Sequence, residues 1–194
     1  MRRNRREGGF TLVELMMVVA LVGVLTAVAI PNFMAYQARS RRSEAFTNLA
    51  AIGQIQKTYY ATKSEFFDSA LPWPDYTLPE YGSGLGAHKM RWDADSEAGW
   101  GELGWRPDGA VRYSYQSNVC CADGMCFTAS AYGDVDDDGF PSAVMYVQPQ
   151  VDGTGNVVTE CASGMPAPLN FGTPVGPTGK IFNQVAIQRS TDEY

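Results

Sequence analysis

A single histidine, His88, stands in a chain of 194 residues. No G-x-S-x-G, H-E-x-x-H or G-x-x-x-x-G-K-[ST] run occurs anywhere. These gaps remove the usual sequence signs of a serine hydrolase, a zinc peptidase and a P-loop nucleotidase. Acidic residues are plentiful, but no catalytic carboxylate pair can be picked out without a fold, and a lone His without a neighbouring partner reads as incidental. The chain is therefore not expected to be an enzyme. Cysteine is missing until position 120, and charge is missing from 15–38. The formal net charge is −6. Residues 1–9 hold four Arg and one Glu; without them 11 basic residues face 20 acidic ones, a net of −9. Phosphate contacts need clustered Lys and Arg, so no direct nucleic-acid partner is expected. A surface this acidic keeps copies apart unless packing elsewhere wins.

What the chain does have is one long apolar run. Residues 8–33 read GGFTLVELMMVVALVGVLTAVAIPNF. A helix over 10–30 would be ~31 Å long, about one hydrocarbon thickness. The Arg-rich start and Ala27-Val28-Ala29 also suit an ordinary secretory signal peptide on a freely secreted or periplasmic protein, and the run suits a plain membrane anchor. Both readings leave Glu14 unexplained, because a carboxylate at the start of an apolar core opposes insertion.

MRRNRREGG followed by FTLVEL, the apolar run and Pro31 resembles the type IV pilin family, which includes the pseudopilins of type II secretion. The match covers roughly residues 6–60. It implies that a prepilin peptidase cuts after Gly9 and that the new N-terminal residue, Phe10, is N-methylated. Glu14 then falls at the fifth mature position and Pro31 at the twenty-second. The resemblance assigns Phe10, Glu14 and Pro31 to assembly, with Glu14 docking against a neighbour's N-terminus. The chemistry is reasonable in itself: a buried carboxylate is costly unless paired, and an amine at 4 Å in a partly shielded setting attracts it by roughly 4 kcal/mol. Each arriving subunit would neutralise a charge only at the correct axial offset.

The family implies an α+β pilin fold, a long N-terminal helix packed against an antiparallel β-sheet head. It implies a structural subunit of a type IV pilus, a helical homo-oligomeric filament used in adhesion, twitching motility or DNA uptake. The lipid bilayer of the inner membrane would hold the chain before inner-membrane assembly machinery moves it to the cell surface. A pseudopilin or minor pilin is the alternative. An enzyme on a membrane anchor is a weaker one.

The parts are expected as a leader over 1–9, a helix over 10–62 that spans the membrane in 10–30, and a head over 63–194. Pro31 removes one backbone N–H and predicts a kink or loosened turn. Beyond it Phe46, Leu49, Ile52, Ile55 or Gln56, and Tyr59 recur at helical spacing, an amphipathic stripe. Residues 64–109 read as a loop region broken by Pro and Gly, with Trp73, Trp92, Trp100 and Trp105 pinning it to the head. The period then turns to two, predicting strands in 110–119, 125–133 and 141–149. A fourth strand is expected in 156–162, coil over 163–179, and a short strand or helix over 180–188.

Four cysteines, Cys120, Cys121, Cys126 and Cys161, suggest two disulfides in an exported chain. A zinc site is disfavoured because the spacing is not CxxC…CxxC. A bridge among the first three would staple a hairpin, and one to Cys161 would tie down a later segment. GDVDDDG at 133–139 leaves two readings open. It is a solvated turn, or the start of a calcium loop through Asp134, Asp136 and Asp138; Met145 stands where the loop's bidentate Glu belongs. No other cofactor is expected.

Overall fold

The computed structural model describes residues 9–74, 88–135, 141–159 and 172–189. Packing divides the chain into two units, Met1–Gln37 and Ala38–Glu193. One helix, α1 (Leu12–Lys63), contributes to both.

In the first unit α1 is apolar and exposed all round, with Leu12, Leu15, Val19, Leu21, Val24 and Leu25 at the surface. Its polar side chains return to the helix itself. Thr26 Oγ1 donates to the Val22 carbonyl at 2.7 Å, and Asn32 Nδ2 to the Val28 carbonyl at 3.0 Å. The helix runs through Gly23 and Pro31 without interruption. Pro31 removes one backbone donor there but does not end the helix.

In the second unit the stripe on α1 becomes a buried face. Ala45, Leu49, Ile52 and Gln56 are fully buried, while Phe46, Ile55 and Tyr59 are half-buried against the same core. Gly53 is required by close approach. A Cβ there would lie 3.0 Å from the Tyr146 ring. The helix ends where Ser64 turns to φ 61° and donates its N–H to the Tyr60 carbonyl, a left-handed cap with Lys63 in the last turn.

The 64–109 stretch is less of a loop than expected. It contains α2 (Ala94–Trp100), capped by Asp93, whose carboxylate accepts from the Ser96 N–H at 2.8 Å. Asp95 and Glu97 occupy the first turn, the favourable end for negative charge. The tryptophans do hold the stretch down. Trp92, Trp100 and Trp105 are buried, with Trp105 in edge contact with Trp92, Trp100 and Tyr115.

The strands are β1 (Ser114–Val119), β2 (Phe127–Gly133), β3 (Ser142–Gln148), β4 (Gln150–Val151), β5 (Val157–Thr159), β6 (Val175–Gly176), β7 (Gly179–Lys180) and β8 (Val185–Arg189). The main sheet is antiparallel in the order β1-β2-β3-β8. Its fourth strand is β8, and the strand expected in 156–162 forms as β5 outside this sheet. Pro149 carries no N–H to extend the ladder beyond β3, and β5 pairs only with β4. The coil expected over 163–179 contains, in its described part, the short β6–β7 pair.

Backbone from the Trp-rich stretch closes the outer edge of β1. Trp73 and Tyr115 exchange N–H···O bonds at 2.8 and 2.7 Å, and Ser69 N–H reaches the Ser117 carbonyl at 2.9 Å. Gln56, fully buried, fixes the same region to α1: it accepts from Phe67 N–H and donates to the Phe67 carbonyl and to Ser117 Oγ.

Candidate assembly site at the start of the long helix

Gly9 and Phe10 precede α1 and are exposed, Phe10 at 82%. Thr11 is the residue before the first helical one. Its Oγ1 accepts from the Glu14 N–H at 3.3 Å, while Glu14 Oε2 accepts from the Thr11 N–H at 2.9 Å and the Thr11 hydroxyl at 2.7 Å. This is a reciprocal capping box. The partner expected for Glu14 is an α-amine, but Thr11 is a nearer one. The T-x-x-E spacing before an apolar run was the available sign. In the uncut chain Phe10 N is a peptide nitrogen. The α-amine arises only on cleavage after Gly9, one residue before the pair that already holds the carboxylate. Pro31, the other residue assigned to assembly, lies on the exposed part of α1.

The cysteines lie elsewhere. Cys121 and Cys126 form a disulfide across the turn that links β1 to β2, with Cα atoms 5.5 Å apart. Gly124, at φ 72°, makes that turn. Cys120 is disulfide-bonded as well. Cys161 lies outside the described residues.

Of the acidic turn, Asp134 is described and buried, at 1% exposure. Asp136 and Asp138 lie outside the described residues. The Arg41 guanidinium donates to the Val135 carbonyl at 2.6 Å, placing a fixed positive charge on this turn. Arg39, Arg41 and Arg42 form a basic cluster in the sequence, but nothing in its spacing tells that Arg41 reaches the acidic turn. Among the described residues no group of three or more His, Cys, Asp or Glu is placed to hold a metal.

A cleft of about 310 Å³ lies beside α1, lined by Ser43, Glu44, Asn48, Lys89 and Asp108 among others. Glu44 Oε1 accepts from the Arg112 N–H at 2.7 Å, and Asn48 donates to the Tyr115 hydroxyl at 2.7 Å. Burial pushes the Tyr115 hydroxyl well above its usual range, more than the Asn48 bond lowers it. Ser43 Oγ donates to the Ser40 carbonyl, so the cleft presents no serine activated by a base. His88 is exposed and does not line it.

Comparison with known proteins places the chain. Residues 4–30 match the model of the prokaryotic N-terminal methylation motif. The type IV major pilin protein PilA of Myxococcus xanthus is 36% identical over 122 residues, covering 63% of this chain and 42% of that protein. The fimbrial protein EcpC of Eikenella corrodens is 47% identical over 68 residues, 35% of this chain and 40% of that one. The type IV major pilin protein PilE1 of Neisseria gonorrhoeae is 42% identical over 72 residues, 37% and 39% of the two chains. The chain thus spans less than half the length of these curated relatives. With the methylation motif at its start, an apolar helix long enough to cross a membrane and an antiparallel sheet in the head, the chain is similar to type IV pilins over its N-terminal part.

Proposed function

We propose that the chain is the structural subunit of a type IV pilus, joined to its copies through the exposed first part of α1. The observation that carries this reading is the pairing of an apolar, unburied helix with a single carboxylate held at its beginning. Apolar surface of this extent needs lipid or other helices around it. Before assembly the bilayer of the inner membrane fills that need, and Thr11 supplies Glu14 with two donors. After a prepilin peptidase cuts at Gly9, the α-amine of methylated Phe10 becomes the charge partner that Glu14 of a neighbouring copy meets. Head-to-tail contacts that do not close extend into a filament, which inner-membrane machinery assembles and the cell displays at its surface. Adhesion, twitching motility and DNA uptake are the activities such a filament serves. A pseudopilin role is less favoured, because the head after α1 is longer than a short major pseudopilin needs.

The mass of the mature N-terminal peptide tests the reading. A methyl-Phe10 start, with filaments sheared from cells carrying that peptide, is the expected result. A start at Ile30 in a freely secreted protein overturns it.

A further inference from the structure

The end of the β1–β2 hairpin gathers three cysteines around one buried sulfur. Val119 and Phe127 are ladder partners, so the next pair outward is Cys120 opposite Cys126. The Cys120 N–H points to the Cys126 carbonyl at 3.4 Å. Yet Cys126 is bonded to Cys121, one residue further along. The Sγ of Cys120 lies 3.9 Å from that of Cys126. Cys126 is fully buried and Cys121 nearly so, whereas Cys120 is exposed. Two neighbouring residues therefore compete for one sulfur, and the accessible one is held by another bridge.

We infer that Cys120, Cys121 and Cys126 form a thiol-exchange site whose partner is an external dithiol acting on Cys120. A thiolate of that dithiol attacks the exposed Cys120 Sγ, forming a mixed disulfide on Cys120 while the former partner sulfur leaves as a thiolate that takes up a proton. The second thiol of the partner then resolves the mixed disulfide, so the dithiol is oxidised as the Cys120 bridge is reduced. The Cys120 thiolate attacks Cys126 Sγ. A Cys120–Cys126 bond forms, the Cys121–Cys126 bond breaks, and Cys121 leaves as a thiolate that takes up a proton. This second step has no net oxidation or reduction. The hairpin stays stapled throughout, while the free thiol moves from the surface to a buried position.

The test uses the full chain in detergent. Cys161→Ser leaves these three cysteines as the only ones. The protein is held at about pH 6 and about pH 9, quenched with acid, alkylated and mapped by fragmentation. The expected result is label on both Cys120 and Cys121, with both bridged forms present and interconversion many-fold faster at the higher pH, since the thiolate is the attacking species. Label confined to Cys120 at both pH values, with Cys121–Cys126 as the only bridge, overturns the proposal. If that variant does not fold, the wild type with limiting dithiothreitol gives the reading. Chains whose Cys120 bridge has opened should yield a Cys120–Cys126 peptide, and an unchanged Cys121–Cys126 bridge in those chains overturns it.

Discussion

The two parts of α1 share a backbone and differ in what completes them. From Ala38 onward the helix buries one face against its own chain, with Leu49, Ile52 and Gln56 fully hidden. From Leu12 to Gln37 it buries nothing, and its apolar side chains point every way. A one-sided stripe is the mark of a helix whose partner is encoded in the same sequence. An apolar surface all round is the mark of a helix completed by something outside its own fold, which the proposed function assigns to lipid and then to copies of the chain. The lesson is that mutations in the two parts should read out in different experiments.

The largest effect is expected at Glu14. Glu14→Ala should leave insertion and processing intact and reduce sheared filaments by about tenfold or more, because about 1.4 kcal/mol of lost attraction already amounts to a factor of ten. Normal filament yield on electron-microscope grids would break the assignment of assembly to the first part. Next comes Leu49→Ala. Emptying this buried site should lower unfolding stability by about 2–5 kcal/mol in detergent, while Leu21→Ala, exposed on the first part, should stay within about 0.5 kcal/mol. Equal losses in denaturant melts would erase the contrast.

A smaller effect is expected at α2. Asp93→Ala should cost about 1 kcal/mol by removing the cap. The Ser96 backbone N–H, and then its hydroxyl, hold the Asp93 carboxyl below the usual carboxylate range. A carboxyl lowered in the folded state contributes stability above its unfolded value, and this is lost as pH falls through the folded one. The wild type should therefore lose part of its margin over the variant below about pH 4, as acid titrations followed by circular dichroism would show. Smallest of all is calcium. Binding at Asp134, Asp136 and Asp138 predicts heat and a raised melting temperature with millimolar Ca²⁺. Silence in the calorimeter removes the site, and the Arg41 charge on the turn favours silence.

The helix and the three central strands were legible because their signals are periodic. The spacing of Leu49, Ile52 and Gln56 gave the buried face of α1, and the β-rich runs gave β1, β2 and β3 within a few residues. The short helix α2 was not read, although Asp93 as cap and two acids in the first turn announce it; glycines at 99 and 101 suggested coil instead. The place of β8 was not readable, since the pairing partner of a late strand is decided by long-range packing. At the candidate site Glu14 stood out for its charge alone. Its bond to Thr11 is written in T-x-x-E, a local signal that the charge of a carboxylate in an apolar run outweighs.

The mutual bonds between Trp73 and Tyr115 have a consequence for what the head can bind. An open β-strand margin offers a template on which another chain's backbone can zip. Here the margin beside β1 is already taken by the protein's own chain, so that side of the head gives a neighbour no backbone to pair with. Strand addition along that margin is closed off, so any contact made there runs through side chains.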